Sequence, residues 1–329
     1  MGQTVLYPLR FEPIYQYRLW GGRRLADLFG APMPNGPIGE AWVLSDRDNY
    51  ASKVASGPLA GRSIGHLMDQ FQEPLMGSLA HRFQRFPLLL KFLDAHEMLS
   101  VQVHPGFPPD RPLPEGETAK TEAWVVIDAG KDSRIYAGLK PGATPEILRQ
   151  SITDGTLAGN LASFMPKPGD GVFIPAGTVH ALGGDVVVFE IQQNSDTTFR
   201  LYDWGHIDAK TGKPRALQVD QALACIDFAD GAAGLVKPKV DAASPERELL
   251  FDCEAFRLWR LRSPLLFSVG ASHVPRVLVC VGGTGQIEHD GATYVVSKGE
   301  VWMLPAVVGV CHFRPGNAVD LLEIACPTG

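Results

Sequence analysis

Thirty-five glycines and 26 prolines cut this 329-residue chain into short runs, and few segments escape them for long. Glycine supplies the positive φ angles that tight turns need, and proline stops strands and helices alike. A chain punctuated this often spends its residues on strands and loops. The runs themselves are β-forming: "FPLLLKFLDA", "LSVQVHP", "EAWVVIDA", "SRIYAGL", "DGVFIPAGTVHAL", "DVVVFEIQQNS" and "FRLYDWG". Helical spacing is confined to a few places. A short amphipathic helix is predicted over Arg23 to Phe29, and "SIGHLMDQF" and "PLMGSLAHRFQ" repeat apolar residues at three and four. "TPEILRQSITDGTLAGNLASFM" reads as one or two short helices, with Thr144 as N-cap and Pro145 in the first helical position. "RALQVDQALACIDF" reads as another helix. The expectation is a mainly β fold with helical insertions at about 60–90 and 144–165.

Residues 229–245, "ADGAAGLVKPKVDAASP", are small, polar and proline-containing, a linker composition. They divide the chain into 1–230, a linker over 231–245 and a strand-rich remainder over 246–329. A weak repeat crosses the boundary. "PGDGVFIPAGTVHAL" from Pro168 resembles "SKGEVWMLPAVVGVCHF" from Ser297, and setting Pro175 on Pro305 puts Val310 where the first copy has His180. Two copies of many short strands point to two β-barrels or jelly rolls whose chemistry is not repeated.

A formal charge of -6 argues against nucleic acid, which demands a basic face. Five cysteines, widely spread and without a C-x-x-C pair, give neither a disulfide framework nor a thiolate metal site, and they fit a reducing cytoplasm. The start of the chain carries no run of signal-peptide length, and Gly2 has Leu6 where a myristoylation motif needs Ser or Thr. No window of about 18 apolar residues predicts a membrane span.

Polar residues on strands carry the chemistry. In "LSVQVHP" the alternation of side chains puts Ser100, Gln102 and His104 on one face, which by itself describes a wet edge equally well. His180 follows the turn "IPAGT", and Glu122 opens the strand "EAWVVIDA". Two imidazoles, a carboxylate and Gln102 make a nitrogen and oxygen set suited to zinc, with manganese or cobalt as alternatives. Each residue alone is commonly a hydrogen-bonded or solvated group, so the set carries the reading. In "VVVFEIQQNSDTTFRLYDWG" one strand face passes from Val186 and Val188 to Glu190, Gln192 and Asn194, as in a barrel whose interior turns polar toward one end. Arg200 follows, with Asp196 or Asp203 as ion-pair partners should it lie on the surface.

Taken in order, "LSVQVHP", "KTEAW", "IPAGTVHALGGD" and "SDTTFRLYDWG" resemble the signature blocks of the type I mannose-6-phosphate isomerases in their short bacterial form, and "EPIYQYRLWGGRRL" and "PIGEAWVLSD" are similar too. The likeness covers most of the first two thirds. It implies a catalytic cupin barrel with inserted helices and a second, metal-free cupin barrel. It also implies a metal site of Gln102, His104, Glu122 and His180, a sugar-phosphate site including Ser100 and Lys120, and Arg200 as the catalytic arginine. Ala123 departs from the larger or sulfur-containing residue expected in "KTEAW". The implied reaction interconverts mannose 6-phosphate and fructose 6-phosphate through an enediol.

A guanidinium with pKa above about 12 is no general base. Arg200 therefore stabilises enediolate charge or holds phosphate, and the base is a carboxylate such as Glu190 or Asp196, a histidine or a metal-linked water. A non-catalytic, metal-stabilised sugar-binding cupin is the alternative reading. An iron-dependent oxygenase is a poorer one, because a Gln/His/Glu/His set beside a phosphate-binding lysine is not the usual two-histidine, one-carboxylate facial triad.

Overall fold

The computed structural model describes residues 6–327 apart from 107, 109–112, 114, 116, 230 and 243. Gly2 and the boundary residue Asp230 lie outside the described residues. Apart from a two-stranded ribbon of Ile207–Asp208 with Lys213–Pro214, the strands form two pairs of antiparallel sheets. In the first pair, a six-stranded sheet runs Ile14–Gly22, Ile38–Leu44, Leu88–Ala95, Val186–Gln193, Glu122–Ala129, Gly171–Ile174. Its companion has five strands in the order Phe199–Tyr202, Val101–Val103, His180–Leu182, Ile135–Leu139, Leu161–Phe164. In the second pair, a seven-stranded sheet runs Leu9–Arg10, Val301–Leu304, Arg276–Gly282, Asp320–Ala325, Arg257–Leu261, Ser244–Asp252, Lys239–Asp241. Phe267–Val269, Cys311–Pro315, Thr284–His289 and Ala292–Ser297 make the fourth sheet.

The strand Val186–Gln193 shows why these sequences become these sheets. Its odd positions Val187, Phe189 and Ile191 enter the largest apolar core, where they meet Phe92 and Val125 together with Val277, Val279 and Leu322 of the seven-stranded sheet. Its even positions Val186 and Val188 pack with Leu93, Trp124 and Ile174 in a separate core. Glu190, Gln192 and Asn194 continue that second face and are buried, so it becomes polar toward one end. That polar end is where the site lies.

The helices are short. Leu25–Phe29 ends on Gly30 in the left-handed conformation, which glycine adopts without Cβ strain. Ser63 caps Ile64–Gln70 by accepting from the His66 amide, and Thr144 caps Pro145–Thr153 by accepting from the Ile147 amide. Gln72–Met76 is followed by a single 3-10 turn over Gly77–Leu79, and the chain is already β by Leu88, so helix occupies only the first part of 60–90. Within 144–165 the residues Leu161–Phe164 are a strand, because they pair with Ile135–Leu139 and bury Leu161. The helix predicted in "RALQVDQALACIDF" spans Val219–Cys225. Residues 231–245 include the strand Lys239–Asp241, and the bridges Gly138↔Ala232 and Val172↔Leu235 fasten them to the preceding sheets. No helix among the described residues is long and apolar enough to cross a membrane.

Phe189 is fully buried, with its ring edge-on to Phe92 at 5.3 Å between centroids. Phe189→Ala should cost roughly 3–5 kcal/mol, read as a lower denaturant midpoint at unchanged slope. A loss under about 1 kcal/mol would mean that this core is not the one the fold depends on.

Candidate functional site

Strand register assembles the site. His180 lies opposite Gln102, and Arg200 lies opposite Gln102 on its other side, so the three face the same way. From the facing sheet, Glu122 is paired with Gln192 and Glu190 with both Trp124 and Lys91. A cavity of about 390 Å³ opens between the sheets. Ser100, Gln102, Lys120, His180, Glu190, Asp196 and Arg200 all line it, while His104 and Glu122 sit just behind its wall, each 1% exposed.

The imidazoles are held in one tautomer. The Nδ1 of His104 lies 3.1 Å from the carbonyl of Thr197, and that of His180 lies 2.9 Å from the carbonyl of Thr178. A carbonyl only accepts, so each Nδ1 carries the proton and each Nε2 presents a lone pair. Those lone pairs face the Glu122 carboxylate, with Nε2 of His104 at 3.0 Å and that of His180 at 3.4 Å. Neither oxygen of Glu122 makes a hydrogen bond. Burial, then the charge of Lys120, lowers His104 to about 3. Burial lowers His180 as well. Burial works against ionised Glu122, but Lys120, His104 and His180 together outweigh it and hold the carboxyl well below its ordinary range.

Two neutral lone pairs and an anion turned toward one another in a dry pocket repel unless a cation lies among them. The ammonium of Lys120 does this in part, 3.1 Å from Glu122 and 3.0 Å from Nε2 of His104. Donor atoms from His104, Glu122 and His180 lie within 4.8 Å of one another, which fits a divalent metal ion held by imidazole and carboxylate. Gln102 directs its Nε2 at Nε2 of His180, 3.2 Å away, and its Oε1 accepts from Ser100. To ligate through oxygen, the amide must turn over.

Lys91 is the group the sequence reasoning passed over. It is 4% exposed in an otherwise apolar strand, with Glu190 at 3.5 Å, Asp196 at 3.7 Å, Glu40 at 3.9 Å and the Trp42 ring 4.9 Å away. Its signal was present in "LLLKFLDA", since a lysine inside a fully buried apolar run needs a partner. Burial disfavours its charge, but Glu40 and Glu190 reverse that and raise its pKa. Burial, and then the negative charge of Glu122, pushes Glu190 up to about 7. Its carboxylate accepts from the Trp124 indole at 3.0 Å.

The remaining cations differ in how they are compensated. Arg18 forms a two-pronged pair with Glu40 at 2.8 and 3.0 Å, and Arg215 is paired with Asp203. Arg200 forms no ion pair with Asp196 or Asp203: the first lies beside Lys91, the second is taken by Arg215. Its Nη1 donates to the Ala216 carbonyl and its buried Nε has no partner. Burial and the charge of Arg215 lower its pKa. Among the arginines lining the cavity, Arg200 carries its charge without a carboxylate.

Fold and site thus define a mainly β protein with a metal-type donor set at the wall of a cation-rich cavity. Residues 9–134 match the family model for the catalytic domain of type I phosphomannose isomerase. The chain is 32% identical to the probable mannose-6-phosphate isomerase GmuF of Bacillus subtilis, over 93% of this chain and 98% of that one. It is 35% identical to mannose-6-phosphate isomerase ManA of the same organism, over 92% and 94%. A crystal structure of a Bacillus subtilis mannose 6-phosphate isomerase superposes with a TM-score of 0.86 at 28% identity, covering 96% of this chain and 99% of the other. The chain belongs to the type I phosphomannose isomerase family, and it is an isomerase.

Glu40 offers a direct check on the charge network. Burial raises a carboxyl, but Arg18 and Lys91 overcome it and bring Glu40 down to about 2. Its folded pKa is below the unfolded value, so its stabilising contribution is present above the unfolded pKa and is lost as pH falls toward 2. That contribution is on the order of 3 kcal/mol at neutral pH. In Glu40→Gln, denaturant melts between pH 7 and pH 3 should lose less stability than wild type does. An unchanged pH dependence would remove Glu40 from the network.

Proposed function

We propose that the protein interconverts mannose 6-phosphate and fructose 6-phosphate in a metal-dependent reaction. The observation that carries this reading is the His104, Glu122 and His180 donor set at the wall of a cavity that also holds an uncompensated arginine, in a chain of this family. His104, Glu122 and His180 hold the ion, with Gln102 as fourth ligand once its amide is turned. Zinc suits two imidazoles and a carboxylate, and manganese or cobalt are accepted by the same donors. When bound, a divalent ion supplies Lewis acidity toward the sugar's carbonyl and neighbouring hydroxyl.

The residues then divide the remaining work. Lys120 and Ser100 bind the substrate, the ammonium contributing charge toward a dianionic phosphate. Aldose becomes ketose when a proton leaves C2 and one arrives at C1, while the hydroxyl proton at O2 is exchanged for one at O1. A group that takes and returns such protons works best with a pKa near the operating pH. Glu190, pushed up to about 7 at the cavity wall, meets that requirement. Asp196, at the cavity and beside Lys91, is the second carboxylate in reach of the substrate. Arg200 stabilises negative charge on the enediolate, because a charged guanidinium without a carboxylate partner is free to take an anion.

The same reading extends to architecture and setting. The two sheet pairs are taken as cupin barrels, a catalytic unit over 1–230 and a metal-free unit over 246–329, joined by 231–245. The five cysteines, none of them in a disulfide among the described residues, fit a reducing cytoplasm.

A coupled assay of the two sugar phosphates tests the function. Activity should vanish on complete chelation and return with zinc, manganese or cobalt; activity that survives metal removal would overturn the metal role. A protein that holds metal yet turns nothing over would be a sugar-binding cupin instead. His180→Ala should abolish metal occupancy by elemental analysis. Arg200→Ala should keep its metal but lose roughly 10²–10³ in kcat, and near-normal turnover would remove Arg200 from the reaction.

A further inference from the structure

The second sheet pair repeats the site positions of the first, with the charges changed. Gly171–Ile174 ends on Pro175 and Val301–Leu304 ends on Pro305. Aligning the two carries the neighbouring strands into register. Ile174 lies opposite Glu122, and Leu304 lies opposite Arg276. Glu190 lies between Trp124 and Lys91, and Glu323 lies between Leu278 and Trp259. Glu40 lies opposite Leu93, and Arg247 lies opposite Leu261. Arg276 therefore stands in the place of Glu122, Arg247 in that of Glu40 and Trp259 in that of Lys91. Only the buried acid is kept, Glu323 for Glu190.

The groups converge as their positions require. Glu323 is fully buried and accepts from the Gly270 amide at 3.1 Å, with Arg247 at 2.8 Å and the Nε of Arg276 at 3.6 Å. One carboxylate neutralises one arginine, and the second is left over: the buried Nε of Arg276 has no hydrogen-bond partner. Both guanidiniums flank the half-buried Trp259 ring, at 4.5 Å for Arg247 and 5.7 Å for Arg276. Both side chains reach solvent, at 23% and 15% exposure. The two positions above them carry no polar side chain. Val269 pairs with Cys311, which brings Gly270 and Val310 to the places of Gln102 and His180, and Val310 is 54% exposed.

We propose that this end of the second sheet pair binds a small organic oxyanion, with Arg247 and Arg276 taking the anionic group and Trp259 under its body. The site is separate from the isomerase cavity and goes beyond the function proposed above. Its ligand carries a phosphate or a carboxylate, since guanidinium forks match both. Arg260 and Arg262 are not part of it, because Asp320 occupies them.

The test uses the full-length, metal-loaded protein labelled with 5-fluorotryptophan, the Trp259 resonance being assigned from Trp259→Phe. Inorganic phosphate, mannose 6-phosphate and citrate are each titrated. At least one should shift the Trp259 resonance along a saturating curve, and comparing phosphate with citrate identifies the anionic group. Arg276→Gln should weaken that curve about tenfold or more, about 1.4 kcal/mol, with Arg276→Lys recovering part of it and isomerase kcat unchanged. Arg247→Gln provides the same readout should Arg276→Gln fail to fold. Shifts confined to Trp20 and Trp124, which line the isomerase cavity, would assign all binding there and overturn the proposal. So would a Trp259 resonance that moves only linearly, without saturation. Neither result depends on whether the protein turns over mannose 6-phosphate.

Discussion

A buried carboxylate that no hydrogen bond satisfies is the constraint around which this molecule is arranged. Glu122 is ionised, dry and turned toward two imidazole lone pairs, a combination that is unfavourable without positive charge among the donors. The protein answers with Lys120 from its own chain and with donor atoms spaced for a metal ion. The backbone carbonyls of Thr178 and Thr197 complete the arrangement from behind, since they fix which nitrogen of each ring faces inward. A charged pocket of this kind is tolerable only in a rigid surround, and the sheets on both sides supply it.

Rigidity reaches the site through register. A slip of one residue would turn Glu190 into the apolar core and Phe189 into the cavity. The large core shared by the six-stranded and seven-stranded sheets opposes that slip, because Val187, Phe189 and Ile191 would all leave it together. The packing of one face thereby sets the chemistry of the other.

Much of this was legible in the amino acids. Turn residues and β-forming runs gave the mainly β texture, and the switch from Val188 to Glu190 marked the end at which polar groups gather. Gln102, His104, Glu122 and His180 were readable as a set only because several sequence blocks occur in order. The network around Lys91 was harder to see, since Glu40, Lys91, Glu190 and Asp196 come from segments far apart in sequence and only the fold brings them together. Helical spacing does not become helix between Leu79 and Leu88, which the chain crosses as turns, or over Leu161–Phe164, where pairing with Ile135–Leu139 overrides it. That Arg200 has no carboxylate partner was beyond sequence, because it depends on Arg215 having already claimed Asp203.

Leu9 and Arg10 add an edge to the sheet made by the last part of the chain, pairing with Met303 and Trp302. Most of the described chain lies between these two residues and their partners. That edge of the seven-stranded sheet is thus closed by a contact of very high sequence separation, and its loop-closure entropy makes it slow to form. Without Leu9 and Arg10, the strand Val301–Leu304 would present an unpaired edge to other chains.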